Sequence, residues 1–270
     1  IRRDHVEILK LYKSLEIENS IGKIDEIYNK YLSKTDCKMY LSIIPDKNYF
    51  LAPLSNHITM DYDLLENKMR DNLRYLEYID IFDKLSLDDY YHTDQHWKQE
   101  NLKELSEYIL TLMNMPVNQT FEDNLLEKPF YGTYYGQASL NVQSDEIHYL
   151  TNDTIDSCTV TSYSTGLPKQ GFLYDFNKAN GKDPYEMFLS GSEPLLVIEN
   201  TSSKSNRELV IFRDSFASSL TPLMISDYSK IILIDLRYIQ SSIIDNYVSF
   251  TNQDVLFLYS TLVLNNNISM

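Results

Sequence analysis

The sequence predicts an α/β fold built on a mostly parallel sheet, and three observations carry that prediction. Short apolar runs bounded by turn residues, such as Lys38–Ile44 (KMYLSII), read as buried strands. Stretches with apolar residues at helical spacing alternate with them. The joins between the two kinds are short, which favours strand–helix–strand units with parallel strands. The chain of 270 residues is 43% apolar and 23% charged, ordinary globular usage that excludes wholesale disorder. That length suits one large domain or two small ones.

Residues 1–36 are expected to form a helical N-terminal extension. Val6, Leu9, Leu11 and Leu15 recur near helical spacing, Ile21, Ile24, Ile27 and Tyr31 do so again, and 19–22 (NSIG) reads as a break between them. Residues 37–270 are expected to form the main domain. Its first strand is Lys38–Ile44, closed by a loop at Pro45, Asp46, Lys47 and Asn48. Residues 61–76 follow as an amphipathic helix with Leu64, Leu65, Met69, Leu73 and Leu76 on one face. Residues 77–82 (EYIDIF) read as the next strand, and 97–113 as a helix with Leu102, Leu105, Ile109 and Leu112 inward. Residues 115–190 hold more Pro and Gly and short alternating stretches such as 156–163, so hairpins are expected there, as an insertion in the domain rather than a second core. Regular structure resumes with strands at 194–200 and 209–213, a helix over 215–226, and strands at 230–236 and 254–259.

Charge narrows the function. There are 24 Lys and Arg against 39 Asp and Glu, a net charge of −15. Phosphate backbones need clustered Lys and Arg, so a nucleic-acid partner is not expected, nor is electrostatic docking on anionic lipid. No apolar run approaches the roughly 20 residues of a membrane span. The cysteines, Cys37 and Cys158, lie far apart and form no Cys-x-x-Cys, which argues against Cys-based zinc sites and thioredoxin chemistry. The chain opens on Ile1 and a charged run, so an upstream signal or anchor is expected to have been removed. His5, His57 and His148 have no evident partners and are expected on the surface.

Two segments can carry chemistry. The first, 90–97 (YYHTDQHW), lies beyond the carboxyl end of the strand at 77–82, where ligands of open α/β sheets bind. His92, Asp94 and His96 alternate, and in an extended segment they would share one side. An Asp beside a His can fix the imidazole tautomer and stabilise the imidazolium, as a general base requires. The second, 209–216 (LVIFRDSF), runs from a strand straight into Asp214, Ser215 and a helical pattern. A Ser there sits near the amide N–H groups of a helix start, which favour a developing oxyanion. Plainer readings stand beside these: a polar turn in which Asp94 caps the next helix, and an ordinary cap at Asp214 or Ser215. Together, however, Asp94, His96 and Ser215 are the inventory of a Ser-His-Asp triad drawn from two strand ends. Tyr90, Tyr91, Trp97, Tyr134 and Tyr135 can form a stacking platform for sugar rings, with Trp97 more naturally packed beneath the site. Lys47 is a substrate-binding candidate at another strand end.

These motifs carry a resemblance. YYHTDQHW is similar to the signature of the DHHW family and of the alginate O-acetyltransferase-like proteins, with Gln95 where the family pattern has His. Glu199-Asn200, LVIFRDSFASSLTPLM, KIILIDLRY and DVLFLYS follow in the family's order, and IIPDK and FYGTYYG resemble further blocks, so the likeness spans roughly residues 38–260. It implies an SGNH-hydrolase-like, three-layer α/β/α domain with a permuted motif order. It implies transfer or removal of an acyl group, usually acetyl, on an extracytoplasmic polysaccharide, without a cofactor. By that resemblance Ser215 is the nucleophile, His96 the base and Asp94 its orienting partner. The Ser215 N–H is the expected oxyanion donor, joined by a Gly N–H or an Asn side chain for which Gly132, Gly191 and Asn200 are candidates. Arg237 resembles a recurrent family position and is a substrate-binding candidate. The resemblance also implies a cell-surface or membrane-anchored setting and an acyl donor delivered by a membrane-bound O-acyltransferase.

Two other functions fit the residues. A metal-dependent hydrolase would use His92, Asp94 and His96 as ligands. A catalytically silent carbohydrate-binding or scaffold protein of a polysaccharide-modification complex would use the 22 Tyr and the β-rich insertion.

Overall fold

The computed structural model describes residues 16–55, 59–117, 119–138, 142–226 and 228–266. Among these, eight strands form one sheet in the order β2-β1-β10-β8-β9-β7-β5-β6. They are β1 (Lys38–Ile44), β2 (Glu77–Tyr78), β5 (Thr159–Ser162), β6 (Lys169–Gln170), β7 (Leu195–Glu199), β8 (Glu208–Arg213), β9 (Lys230–Ile234) and β10 (Asp254–Ser260). From β2 through β9 every pairing is parallel, whereas β7 runs antiparallel to β9, and β5 and β6 continue antiparallel. A separate antiparallel pair joins β3 (Glu122–Leu125) to β4 (His148–Thr151). The protein is therefore mixed α/β with a large, mostly parallel sheet, as its alternating pattern predicts.

The central strands are apolar along their whole length because both faces of the sheet are covered. Tyr40, Leu196, Ile211, Leu233 and Leu258 enter one core, while Leu41, Leu195, Phe212, Ile234 and Phe257 enter the other. The helix Lys103–Leu112 packs on the first face through Leu105 and Ile109. The helix Tyr62–Asn72 packs on the second through Leu65 and Met69. Helical residues 16–27 join that second face through Ile17, Ile21, Ile24 and Ile27. The helix runs unbroken through 19–22 because Ile21 and Ser20 are both buried, Ser20 donating to the Leu264 carbonyl. Val6, Leu9, Leu11, Leu15, His5 and His57 lie outside the described residues.

Several elements are shorter than their patterns predict. The Asp61 carboxylate accepts from the Leu64 N–H and starts its helix there, leaving Leu64 itself on the exposed side. The strand after it ends at Tyr78, since the Asp80 carboxylate accepts from the Phe82 N–H and turns the chain. Trp97 opens no helix: it forms an antiparallel bridge with Tyr90, and the Tyr91 N–H donates to the His96 carbonyl, closing 91–96 into a tight loop. The helix begins at Lys103, and Leu112 is exposed. After Ser215 the α-helix spans only Ala217–Leu220 before a 3-10 turn at Thr221–Met224, because Pro222 lacks the N–H to continue it. Lys47 opens a helix, Lys47–Ser55, rather than lying in a loop.

The topology positions the site. β1, β2, β8, β9 and β10 point the same way, so their carboxyl ends share one edge of the sheet. That edge carries Lys47, the 90–97 loop, Ser215 and Arg237. Because β7 is reversed, its start, Gly191–Glu193, reaches this edge and its end, Asn200, reaches the opposite one.

Candidate active site

Ser215 follows β8 on a turn held by its neighbour Asp214. The buried Asp214 carboxylate accepts from the Phe216 N–H at 3.0 Å and from the Ser260 N–H at 2.7 Å, tying the turn to the end of β10. Arg213, the last residue of β8, is fully buried. Its guanidinium donates to Ser218 Oγ and the Asp214 carbonyl from one nitrogen, and to the Glu193 and Gly191 carbonyls from another. Burial pushes this guanidinium down from its ordinary value.

The 91–96 loop is gripped from outside. Asp145 accepts from the His92 N–H at 2.7 Å and from the Thr93 N–H and hydroxyl, each at 2.6 Å. Lys47 Nζ donates to the carbonyls of Tyr91, His92 and Asp94 at 2.7, 3.1 and 3.2 Å. Its ammonium is spent on three carbonyls of this loop and its ring contact is Tyr134, so Lys47 is placed to shape the loop rather than to meet a substrate.

Within that loop Asp94 and His96 turn toward each other. Asp94 Oδ1 lies 2.6 Å from His96 Nδ1, and His96 Nε2 lies 2.8 Å from Ser215 Oγ. The other Asp94 oxygen accepts from the Thr133 N–H at 2.8 Å and its hydroxyl at 3.1 Å. Burial alone would raise the Asp94 carboxyl, but the hydrogen bonds and charge of His96, with the Thr133 and His96 N–H groups, hold it well below the usual carboxylate range. An ionised Asp94 can only accept, so Nδ1 carries the proton and Nε2 is free to take one from the Ser215 hydroxyl. The geometry can therefore move a proton from Ser215 to His96 and balance the resulting imidazolium with a buried carboxylate.

The imidazole is also held by its faces. Tyr185 stacks on it with centroids 3.9 Å apart and planes 8° from parallel, and Phe216 packs against it at 4.9 Å, tilted by 54°. A pocket of ≈ 210 Å³ opens over Ser215 and His96, walled by Thr133, Asp183, Gly191, Ser218 and Arg237. Burial pushes the Asp183 carboxyl up, and the negative charge of Asp94 adds to this. Arg237 lines the pocket while its Nε and one terminal nitrogen grip the buried Asp235 carboxylate at 2.8 and 2.7 Å. Burial lowers its affinity for the proton, but Asp235 outweighs this and raises it above the ordinary value.

Other expected site residues lie elsewhere. His92 is exposed and does not join Asp94 and His96, because the loop is bent rather than extended. Among the described residues no three His, Cys, Asp or Glu side chains converge as metal ligands would. Gly132 sits behind Asp94, its N–H donating to Thr93 Oγ1. Gly191 borders the pocket, but its N–H donates to the Phe188 carbonyl. Asn200 is buried at the far edge, bonded to the Ile225 and Ser226 carbonyls. Tyr90, Tyr91 and Trp97 are buried and offer no open stacking face. Trp97 packs beneath the site, its indole N–H donating to the Phe216 carbonyl and Ser219 Oγ, both at 2.9 Å. Tyr135 is partly exposed beside Tyr131. His148, expected without a partner, pairs with Asp123 at 2.8 Å.

Tyr185, Asp183 and Asp145 carry no sequence signal, since they come from the irregular 115–190 region. Thr133 had one: it lies inside the FYGTYYG block. Ser218 had one as well, three residues after Ser215 on a short helical turn.

No family model matches the chain, and no curated protein matches it. Solved structures do. A DHHW family protein from Eubacterium siraeum DSM 15702 is similar with a TM-score of 0.68 and 20% identity, over 93% of this chain and 86% of that one. Bacillus cereus PatB1 with a sulfonyl adduct is similar with a TM-score of 0.73 and 20% identity, over 94% and 90% of the two chains. The O-acetyltransferase domain of Pseudomonas putida AlgJ gives a TM-score of 0.52 at 13% identity, over 94% and 84%. The fold is thus DHHW- and AlgJ-like, as the motif order anticipates.

Proposed function

We propose that this chain is a serine-dependent O-acyltransferase or esterase that handles acetyl groups on an exported polysaccharide through an acyl-serine intermediate. The observation that carries this reading is the continuous line from Asp94 through His96 to Ser215, with both links at or below 2.8 Å. The fold likeness to an O-acetyltransferase domain and to PatB1 with a sulfonyl adduct supports it. We read the two-faced sheet as an SGNH-hydrolase-like α/β/α sandwich with the Asp-x-His segment ahead of the serine.

Ser215 Oγ attacks the ester carbonyl as His96 Nε2 takes its proton. The negative charge of the tetrahedral intermediate rests near the Ser215 N–H, the proposed first oxyanion donor. His96 returns the proton to the departing alcohol, leaving the acyl group on Ser215. A sugar hydroxyl or a water, deprotonated by His96, then attacks the acyl-serine and releases Ser215 with its proton restored. Asp94 keeps the ring in register and stabilises the imidazolium at both steps. A pocket of ≈ 210 Å³ suits a small acyl group but cannot enclose a sugar chain, so the glycan lies across the open mouth beside Arg237 and Tyr238. Among the described residues no helix is long and apolar enough to cross a membrane. In this reading the protein works outside the cytoplasm, with acyl groups supplied by a membrane-bound O-acyltransferase.

The test compares wild type with Ser215→Ala on p-nitrophenyl acetate, with and without glycan acceptors. The variant is expected to lose on the order of 10³–10⁶ in rate. Stimulation of ester release by a glycan would mark transfer. Equal rates in the two proteins would overturn the proposal and leave the carbohydrate-binding function standing.

A further inference from the structure

An aromatic side chain from the irregular 115–190 region lies against the His96 ring. Tyr185 is 4% exposed and belongs to the 3-10 turn Pro184–Met187, where the Asp183 carboxylate accepts from the Tyr185 N–H. Its ring lies flat on the His96 imidazole, 3.9 Å away at 8°. Its hydroxyl lies 2.9 Å from Ser219 Oγ and donates to the Ser215 carbonyl at 3.4 Å. Ser219 Oγ in turn accepts from the Trp97 indole N–H. One side chain therefore touches the base through its face and the nucleophile's turn through its hydroxyl.

We propose that Tyr185 is a positioning residue: its ring fixes the plane in which His96 faces Asp94 and Ser215, and its hydroxyl locks that plane to the Ser215 turn. The role in turnover rests on the function proposed above. The physics is independent of it. An imidazole with single contacts at Nδ1 and Nε2 can still tilt about the line joining them. A flat aromatic face at van der Waals distance removes that freedom, and its π cloud attracts the imidazolium formed when Ser215 loses its proton. Phe216, at 54° to the ring, bounds the imidazole without fixing its plane.

The experiment uses the whole chain with Tyr185→Phe and Tyr185→Leu, and has two readouts. In proton spectra of histidine-labelled protein, assigned with His96→Gln, the His96 ring protons of wild type should be displaced upfield by the stacked ring. Tyr185→Phe should keep that displacement and Tyr185→Leu abolish it. In steady-state kinetics, Tyr185→Leu should lose on the order of 10²-fold in kcat with KM nearly unchanged, as misplacement of a reacting group does. Tyr185→Phe should recover most of that loss. Absence of the displacement in wild type overturns the proposal even if Tyr185→Leu does not fold. A folded Tyr185→Leu with wild-type kcat, or one whose loss falls on KM, overturns it as well. Wild-type activity equal to that of Ser215→Ala, with the displacement present, would instead count against the function and leave the ring's positioning intact.

Discussion

At the scale of single residues, the site depends on keeping a carboxylate ionised while it is fully buried. Asp94 achieves this with four donors: the His96 ring, the His96 N–H, and the N–H and hydroxyl of Thr133. A carboxyl held below its unfolded value stabilises the fold above that value, and the contribution is lost as pH falls below about 4. Asp94→Asn removes this charge. The difference in thermal midpoint between wild type and variant should therefore be largest near neutral pH and shrink as pH falls to about 3. A gap independent of pH would contradict the assignment. The same substitution should lower the acyl-transfer rate by about 10⁴, since an amide cannot hold the imidazole in the same tautomer.

At the scale of elements, one helix start and the irregular 115–190 region hold the 91–96 loop in place. Lys47, at the start of its helix, pins 91–94 through three carbonyls, and Asp145 pins the same loop from the irregular 115–190 region. Thr133, from the start of the short helix Thr133–Ala138, completes the Asp94 shell. That shell requires Gly132, where a Cβ would overlap the Asp94 side chain and stand 2.7 Å from its Cα. Gly132→Ala must push Asp94 and Thr133 apart, at a cost of about 1–3 kcal/mol in stability. The rate should fall with it, because His96 moves with Asp94. Chemical denaturation and p-nitrophenyl acetate turnover check both, and a stable, fully active Gly132→Ala would show that the close approach is not required.

At the scale of the molecule, the sheet decides what meets what. Five parallel strands deliver Lys47, the 90–97 loop, Ser215 and Arg237 to one edge, where Asp94 and His96 meet Ser215, the three residues that the strand-end motifs bring to notice and the family resemblance singles out. The reversal of β7 was not legible, because an apolar run such as LLVIE carries no sign of its direction, and that reversal takes Asn200, an oxyanion candidate by resemblance alone, to the opposite edge. The irregular 115–190 region hid more. Tyr185, Asp145 and Asp183 act through tertiary contacts of irregular backbone, which no periodicity announces. Gly132 was named through the resemblance as an oxyanion donor, but its N–H goes to Thr93 Oγ1 and its close approach is to Asp94. Cys37 and Cys158 are free thiols that pack with the cores on opposite faces of the sheet, so the fold itself keeps them apart.

The central claim is that Ser215 becomes acylated. Protein mixed briefly with p-nitrophenyl acetate, quenched in acid and digested should yield one acetylated peptide, the one containing Ser215. That label should be absent from Ser215→Ala and much reduced in His96→Gln. Acetyl groups found only on other side chains, or retained in full by Ser215→Ala, would contradict the account.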